Sequence, residues 1–370
     1  QITFFKVVYR RHTNFSMEAI EQTWNGNSTA GGTRCTATIS RNGDLVGRMY
    51  LQLNLTSASG SVVENPGHTI IDSVELEIGG QSIDKHYGHW MEVWAQLTQP
   101  NDGAVIGTFA APTKTGTKFQ NMACAGGVLK ANGVSKSIAY VPLQFWFCRN
   151  PGLSLPLIAL QYHEVNIILT LGSAVDAASN KGVKVNSNKL FCDYIYLDTD
   201  ERRRFAQVSH EYLIEQLQYK SESTGGNIEL NFNHPVKELI WTGEYTSTSC
   251  SFANFTLTHT ANLKLNGHDR FASRPLDYFT KTQVWQHHTG TPVVLKTGYS
   301  AGTGKQSCDN IAVYSFALKP EEHQPSGTCN FSRIDNAQLV QSNATACEIY
   351  AVNYNVLRIM SGMGGLAYSN

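Results

Sequence analysis

The sequence divides at residues 197–207, which read Leu-Asp-Thr-Asp-Glu-Arg-Arg-Arg-Phe-Ala-Gln and form the densest charge cluster of a lightly charged chain. The cluster holds two acidic and then three basic side chains: Asp200, Glu201, Arg202, Arg203 and Arg204. Thr199 can cap a short helix here, because the acidic residues would fall in its first turn and the basic residues toward its end, which suits the helix dipole. We therefore predict a hinge helix at residues 201–207.

The segments on either side of this hinge repeat in the same order. Four pairs of landmarks correspond: Ile-Glu-Gln at 20–22 and 214–216, a strand with a turn at 76–81 and 263–268, a Phe-rich strand before a Pro/Gly loop at 145–152 and 314–327, and a Tyr-rich apolar strand at 191–197 and 349–360. The distance between partners shrinks along the chain, as loops of different length in two copies of one domain would cause. The sequence therefore predicts two copies of one β domain, residues 1–200 and residues 208–370.

Length and composition agree with two β domains. A chain of 370 residues exceeds the size at which one hydrophobic core usually stops growing. Its 29 acidic and 29 basic residues give a formal net charge of zero, so no overall field favours nucleic acid or an anionic membrane. The 31 glycines and the frequent turn residues suit many short strands. The eight cysteines form no Cys-x-x-Cys pair and several lie in apolar runs, so we expect buried, reduced thiols and assembly in a reducing compartment.

Local patterns predict the elements of each domain. Alternate residues of 49–55 are apolar, which indicates a half-buried strand. Residues 90–97 carry Trp, Val, Trp and Leu at the spacing of an apolar helical stripe that Pro100 ends, and such a stripe indicates core packing. Residues 101–137, rich in Gly, Thr, Lys and Asn, are predicted to be a long loop. The fold class that follows is all-β, with an eight-stranded antiparallel jelly roll in each half and short helices in the loops.

Two motifs in one segment resemble functional sites without meeting their requirements. Residues 298–302, Gly-Tyr-Ser-Ala-Gly, fit the nucleophile-elbow pattern, and Asp309 and His323 could complete a Ser-Asp-His order. The elbow needs a helix directly after the serine, whereas a turn sequence follows here. The segment also lacks the hydroxyl residue and the first glycine of a phosphate-binding loop, because Gln306 and Tyr299 occupy those positions. We predict no catalytic residue.

The histidines offer two candidate metal sites. His86 and His89 lie three residues apart near Glu92, and His287 and His288 are adjacent in a predicted loop. Isolated histidines in a β protein usually hydrogen-bond locally or face solvent. We therefore predict neither a metal site nor a cofactor.

Six Asn-x-Ser/Thr sequons occur, and they accept glycans only where a glycosylating machinery meets the protein. Four of them are our possible glycosylation sites: Asn27, Asn54, Asn254 and Asn343. Asn27 and Asn343 fall in turn-like stretches and are expected to be exposed. Asn54 and Asn254 are expected on strands.

Long stretches of the chain resemble a known family. The segments that carry the resemblance are residues 2–11 (ITFFKVVYRR), 74–81 (VELEIGGQ), 155–164 (LPLIALQYHE), 315–337 and 355–368. In this order they are similar to the major capsid proteins of nucleocytoplasmic large DNA viruses, with the nearest resemblance to the phycodnaviruses that infect chlorella. The resemblance covers nearly the whole chain, and it implies a double jelly roll.

The resemblance also implies a structural function without chemistry. Three copies would form a trimeric capsomer whose six jelly rolls give a pseudo-hexagonal outline, and such capsomers would tile the outer shell of a large icosahedral double-stranded DNA virus. The implied partners are the other copies of a homotrimer, neighbouring capsomers, and minor capsid and penton proteins. An internal viral membrane would lie nearby, and no direct contact with nucleic acid is implied. The implied location is the virion capsid, after assembly in the host cytoplasm.

One departure from the family leaves alternatives open. Chlorella-virus members carry longer outward loops with glycans in the second jelly roll, whereas residues 244–252 and 340–347 are short stretches here. Short loops would also suit a minor capsid paralogue at special lattice positions. The alternative from another class of protein is a pair of jelly-roll domains that bind carbohydrate or form a cupin-type enzyme. A carbohydrate-binding module would bind sugar as an isolated monomer, whereas a cupin needs a set of inward-facing His and Glu metal ligands that the sequence does not provide.

Overall fold

Four main antiparallel sheets organise the chain, two in each half. The structure is a computed structural model and describes residues 13–57, 65–100, 117–127, 137–172, 175, 183–246, 251–253, 255–256, 258–290, 310–342 and 346–368. Within these ranges no helix is long and apolar enough to cross a membrane.

The first half forms a pair of sheets from nine strands. The strands are β1 (Phe15–Gln22), β2 (Arg34–Thr38), β3 (Leu45–Ser57), β4 (Ile71–Ile78), β5 (Gln81–Tyr87), β6 (Ser137–Pro142), β7 (Leu155–Pro156), β8 (Val165–Leu171) and β9 (Val183–Leu197). One sheet has the order β1-β9-β3-β6, with the short β7 also paired to β3, and the other has the order β2-β8-β4-β5. This is the strand arrangement of a jelly roll.

The second half repeats this arrangement with short additions. Its strands are β10 (His210–Glu222), β11 (Asn227–Glu229), β12 (Pro235–Gly243), β13 (Tyr245–Thr246), β14 (Ser251–Phe252), β15 (Thr260–Leu265), β16 (His268–Asp269), β17 (Arg274–Pro275), β18 (Ile311–Ser315), β19 (Cys329–Asn330), β20 (Ala337–Gln341), β21 (Cys347–Met360) and β22 (Met363–Leu366). The two sheets have the orders β10-β21-β12-β18 and β11-β20-β15-β16, and β13 pairs with β14 separately. The additions β19, β22 and β17 pair with β12, β21 and β15.

Short helices lie in the connections. They are α1 (Pro66–Thr69), α2 (Gly88–Thr98), α3 (Lys118–Ala123), α4 (Trp146–Arg149), α5 (Thr199–Gln207) and α6 (Gln283–His287), with 3₁₀ turns at Pro151–Leu153 and Phe331–Arg333 and a π-helical turn at Tyr278–Thr282. The helix α5 separates β9 from β10. The division into residues 1–200, 201–207 and 208–370 stays a prediction.

The repeat seen in the sequence has a structural counterpart in two hairpin turns. Gly79 and Gly80 join β4 to β5 with φ of 59° and 82°, and Asn266 and Gly267 join β15 to β16 with φ of 50° and 79°. Two successive residues with positive φ define the hairpin turn that matches the twist of its strands, and Gly and Asn adopt it most readily. The two hairpins hold the same place in their jelly rolls, and the predicted double jelly roll is confirmed.

Each jelly roll encloses an apolar core. The alternating apolar residues of β3 point inward as predicted, and Met49, Leu51, Leu53 and Leu55 are at most 2% exposed. In the second roll, the inward residues include Leu239 and Trp241 of β12. The alternation of a half-buried strand therefore decides which face of each sheet meets the core.

The described cysteines lie mostly in these cores. Five are buried and Cys329 is half-buried; the buried ones are Cys35, Cys124, Cys148, Cys192 and Cys347. Burial raises the pKa of Cys35 to about 11 and that of Cys148 to about 12, which keeps both thiols protonated at neutral pH. Cys250 and Cys308 lie outside the described residues. The predicted burial is confirmed for these five, and the reducing compartment stays a prediction.

Two boundary predictions differ from the structure. The hinge helix α5 begins at Thr199 rather than residue 201, and its N-cap is Asp198, whose carboxylate accepts a hydrogen bond from the Thr199 amide at 2.8 Å. Residues 118–123, predicted to be loop, form α3, because Thr117 and Gln120 complete a reciprocal capping box. The neighbouring residues 101–116 and 128–136 lie outside the described residues.

The Phe-rich strand predicted at residues 145–147 is wrong. Trp146 begins α4, and Phe145, Trp146 and Phe147 are all buried in the first core. Aromatic residues favour strands because their side chains pack well on half-buried sheets. A short helical turn beside the core buries the same side chains equally well. Its proposed counterpart in the second half, residues 314–316, does begin within β18, so this pair of landmarks does not correspond in structure.

Candidate functional site at the interface of the two jelly rolls

The two jelly rolls share apolar packing. Ile214 of β10 and Leu357 and Ile359 of β21 belong to the second roll, yet they are buried in the core of the first roll. The strand β22 also packs back on the first roll, where Leu160 closely approaches Gly364. The interface is therefore continuous with the first core, and the two rolls are not joined by α5 alone.

The helix α2 of the first roll covers the outer face of the second roll's sheet. Its apolar stripe, including Trp90, Val93 and Trp94, packs with residues from β12, β18 and β21 that point away from the second core: Ile240, Ile311, Val313, Tyr350 and Val352. The ring centroids of Trp90 and Tyr350 are 5.2 Å apart. The sequence correctly indicated that this stripe packs in a core, and the structure adds that its partner is the other jelly roll.

A buried ion cluster lies beside this helix. Glu215 of β10 accepts from Arg149 Nη2 at 2.7 Å and lies 2.9 Å from Lys237 Nζ, with His323 Nδ1 at 3.5 Å. The Arg149 guanidinium also stacks over the Trp94 ring at 4.9 Å. Burial would raise the pKa of Glu215, but the positive charges of Arg149 and Lys237 and the His323 hydrogen bond outweigh it and hold that pKa far below its ordinary value. The cluster therefore joins first-roll Arg149 to second-roll strands through an ionised carboxylate.

Two carboxylates flank the buried His288, one from the buried Glu238 and one from the half-buried Glu321. Its Nε2 lies 3.1 Å from Glu238 Oε2, and its Nδ1 lies 3.0 Å from Glu321 Oε1. Burial would lower the pKa of His288, but the two carboxylates outweigh this effect and raise it to about 9. The imidazole is therefore protonated at neutral pH, which requires both ring nitrogens to donate.

Polar contacts also join β5 to β10. The Leu217 amide donates to Asp84 Oδ1 at 3.1 Å, and the Gln216 side chain donates to the Ile83 carbonyl. Asp84 Oδ2 lies 2.9 Å from His86 Nε2, with both side chains almost fully buried. These contacts tie the last strand of one sheet in the first roll to the first strand of the second roll.

The candidate metal ligands point to separate partners. His86 pairs with Asp84, and His89 Nδ1 hydrogen-bonds the Tyr350 hydroxyl. Glu92 lies 2.7 Å from His68 Nδ1 and accepts from the Gly126 and Gly127 amides. Among the described residues, no group of three or more His, Cys, Asp or Glu side chains is placed to hold a metal ion.

The hinge residues lie mostly at the surface. Arg202 Nε lies 2.9 Å from Asp44 Oδ1, and the second oxygen of Asp44 accepts from the Leu197 amide. Arg203, Arg204 and Asp200 are exposed, and Glu201 is half-buried. Asp44 thus connects α5 to the first roll at one point, and the role of this segment as a hinge between the two domains stays a prediction.

The sequon and catalytic candidates lie only partly within the described residues. Asn27 is exposed in a turn, where its Oδ1 accepts from the Thr29 hydroxyl at 3.0 Å, and Asn54 lies half-buried on β3. Asn254 and Asn343 lie outside the described residues, as do Asp309 and residues 298–302. His323 is described and contacts Glu215, which places it in the ion cluster. Glycosylation of the four asparagines stays a prediction.

Sequence reasoning missed the buried charges. Lys237 and Glu238 are consecutive in β12, between the apolar residues Val236 and Leu239, and both side chains are fully buried. A β-bulge between Val236 and Glu238 interrupts the alternation at this point. A charged pair inside an apolar strand was the available signal, because buried Lys and Glu almost always have partners.

Family models match both halves of the chain. The model described as "Major capsid protein N-terminus" matches residues 3–198, and the model described as "Large eukaryotic DNA virus major capsid protein" matches residues 201–365. The major capsid protein of Pyramimonas orientalis virus is 54% identical over 399 residues, which cover 100% of this chain and 94% of that protein. The major capsid protein of Paramecium bursaria Chlorella virus 1 is 40% identical over 446 residues, covering 100% of this chain and 95% of that protein.

Solved structures show the same fold. A chain in the "PBCV-1 virus capsid, quasi-atomic model" superimposes with a TM-score of 0.80 at 37% identity, covering 100% of both chains. The Faustovirus major capsid protein has a TM-score of 0.65 at 13% identity, covering 97% of this chain and 93% of that one, and shares the fold. The resemblance drawn from the sequence is confirmed by these matches.

Proposed function

The chain belongs to the major capsid protein family of large eukaryotic DNA viruses, and from this premise we propose that three copies form a pseudo-hexagonal capsomer. Its role is that of a structural protein of the virion capsid, which assembles with neighbouring capsid proteins, and not that of an enzyme. The trimer, its outline and its further partners are our proposals.

The observation that carries the proposal is the fixed pairing of two jelly rolls of one topology. Second-roll residues enter the first core, α2 covers the second sheet, and the Arg149–Glu215–Lys237 cluster joins both sides. A rigid pair of like units supplies two of the six sides of a hexagon, so three copies around one axis complete it. Capsomers with a hexagonal outline would pack into a continuous layer.

The geometry of a closed shell requires other partners. Hexagonal units alone form a flat layer, so pentagonal units must stand at the vertices, and we propose penton and minor capsid proteins as partners for this reason. An internal viral membrane would lie under the shell, without direct contact between this protein and nucleic acid. Buried, protonated thiols suit assembly in the host cytoplasm.

The alternatives receive less support. The two relatives described above are major capsid proteins that the chain matches along its whole length, which favours the shell role over a minor paralogue. A carbohydrate-binding module would bind sugar as an isolated monomer, so the native mass of the protein distinguishes it from the capsomer.

Negative-stain electron microscopy of the purified protein tests the proposal. We expect class averages with a hexagonal outline and three-fold symmetry, in which six densities surround the axis. Particles that show only two densities, as a single chain with two jelly rolls would, and that lack three-fold symmetry at micromolar concentration would contradict the capsomer. A glycan-array screen in parallel would reveal a binding module.

A further inference from the structure

Each jelly roll carries a helical insertion at the same place in its topology. In the first roll, α2 follows the hairpin β4–β5 and precedes the edge strand β6. In the second roll, helical residues 276–287, which include α6, follow β15, β16 and β17 and precede the edge strand β18. Both insertions contain a Val-Trp pair, Val93-Trp94 in α2 and Val284-Trp285 in α6. We treat the two helices as equivalent.

Only one of the two equivalent tryptophans is buried within the chain. Trp94 packs between α2 and the second roll's sheet, where it is 5% exposed. Val284 is buried in the same apolar cluster, but Trp285 points outward and is 80% exposed, the highest value among the large hydrophobic side chains of the described residues. A Trp side chain usually stabilises a protein by burying a large apolar area. At 80% exposure, Trp285 contributes little of this burial within the chain.

Among the described residues, no helix packs along the first-roll sheet face that corresponds to the α2 docking face, although Met122 of α3 lies beside it. The sheet β1-β9-β3-β6 is equivalent to β10-β21-β12-β18, whose outer face α2 covers. On its own outer face, Tyr50 stacks on Phe191 at 5.4 Å and meets Tyr140 edge-on at 6.1 Å. Ile138 and Met17 are 49% and 55% exposed. This sheet therefore presents an aromatic and aliphatic surface to solvent.

A cavity of about 660 Å³ opens on this face. Tyr50, Tyr140 and Met122 line it, together with Arg48 and Asp193. Trp94 and Arg149 also line the cavity, so it adjoins the contact of α2 with the second roll. Its aromatic walls offer stacking and edge-on contacts to an indole ring, and it has room for the ring together with neighbouring side chains of the helix that carries it. Its position continues the interface that already exists within the chain.

We propose that Trp285 of one copy inserts into the Tyr50–Tyr140 cavity of the next copy. The partner is a second copy of this chain, because the exposed Trp285 and the first-roll face around Tyr50 correspond to Trp94 and the second-roll face that α2 covers, which is a contact that the chain already makes once internally. The contact is head-to-tail, which is the kind of contact that a closed ring of three copies requires. This inference rests on the proposed trimer and names the residues that hold it together.

Alanine substitutions on both sides of the contact test the proposal. Trp285→Ala and Tyr50→Ala should each raise the dissociation constant of the trimer by about 30-fold or more, as loss of an interface anchor does. Tyr162→Ala removes another exposed aromatic side chain and is the matched control, for which no change is expected. Mass photometry over a dilution series measures the trimer fraction, and thermal unfolding of each variant shows that the chain itself still folds.

Cross-linking provides a second readout that does not depend on affinity. A chain with both Trp285→Cys and Tyr140→Cys should form covalent dimers and trimers with a short bismaleimide, and each single variant should not. The wild type controls for the native cysteines, of which the five buried ones react slowly.

The outcomes separate the two proposals. A wild-type trimer that persists unchanged in Trp285→Ala and gives no cross-link overturns the docking contact and leaves the capsomer intact. A wild type that never forms trimers overturns the capsomer and the contact with it. Dissociation of Trp285→Ala with selective cross-linking of the double variant supports both.

Discussion

Lys237 Nζ lies 2.9 Å from Glu215 Oε1, with the Lys237 side chain fully buried and that of Glu215 4% exposed. Burial lowers the pKa of Lys237, although Glu215 and Glu238 partly offset this effect. Burying either charge alone would cost several kcal/mol, so each charge makes the other tolerable. Glu215 neutralises both Lys237 of the second roll and Arg149 of the first roll. It therefore joins the two rolls.

Removing Glu215 should therefore destabilise the protein strongly. Glu215→Ala leaves Lys237 and Arg149 without their carboxylate, and we expect a loss of about 3–5 kcal/mol in the free energy of unfolding. Glu211→Ala, on the same strand, breaks an exposed pair with Arg358 and should cost less than about 1 kcal/mol. Urea unfolding of both variants measures the difference. Equal losses would show that the buried cluster does not stabilise the interface.

The His288 pair predicts a loss of stability at alkaline pH. The folded-state pKa of about 9 lies above the ordinary value of 6.5, so the protonated pair stabilises the fold fully below pH 6.5 and is lost as the pH rises through 9. We expect the free energy of unfolding to fall by on the order of 3 kcal/mol across this window. His288→Gln should flatten this part of the profile. A wild-type curve with no decline between pH 7 and 10 would rule out the pair as described.

Acid should weaken the interface between the two jelly rolls, because this interface depends on the ionised Glu215 carboxylate. The pKa of Glu215 is far below its ordinary value of 4.5, because Arg149 and Lys237 outweigh the opposing effect of burial. Its contribution is therefore complete above pH 4.5 and declines as the pH falls further. In Glu215→Gln the decline below pH 4.5 should be shallower than in the wild type. Chemical unfolding at several acidic pH values measures both slopes, and parallel curves would count against the cluster.

Truncation of Trp90 tests the packing of α2. Trp90→Ala removes a ring that contacts Tyr350 across the interface, and we expect a loss of about 3–5 kcal/mol, as for other buried aromatic residues. Leu318→Ala removes an exposed apolar side chain and should be nearly neutral. Thermal unfolding compares the two variants. A Trp90 variant as stable as the control would mean that α2 does not anchor the second roll.

The exposed hinge arginines predict an effect on assembly rather than on folding. Replacing Arg202, Arg203 and Arg204 with Ala breaks one half-exposed contact with Asp44, worth less than about 1 kcal/mol. We expect weaker trimers, because the remaining charges face away from the chain. Lys319→Ala, which breaks an exposed pair with Glu322, is the control. An unchanged trimer mass for the triple variant would contradict the assembly role.

Local sequence signals predicted much of the fold and little of the interface. The turns at Gly79-Gly80 and Asn266-Gly267 and the alternation in β3 are short-range features, and they determined the repeat and the inward faces. The partner of Trp90 is Tyr350, which lies far away in the sequence. No local pattern identifies such a partner. The error at residues 145–147 has the same origin, because aromatic side chains can be buried from a turn as well as from a strand.

The partners of the buried charges could not be predicted from the sequence for a related reason. Lys237-Glu238 interrupts an apolar strand, a sign that both are buried, but their partners Glu215 and His288 come from other parts of the chain. Residues 298–302, which match the nucleophile-elbow pattern, lie outside the described residues. The structure therefore adds the long-range contacts that pack the two repeated domains against each other.

The native mass of the purified protein tests the central claim most directly. Multi-angle light scattering across a concentration series should give three times the chain mass of 40.8 kDa, with no stable species between one and three copies. Such a mass is what a closed ring of three two-roll chains requires. A mass of one chain, unchanged up to concentrations of tens of micromolar, would contradict the capsomer proposed here.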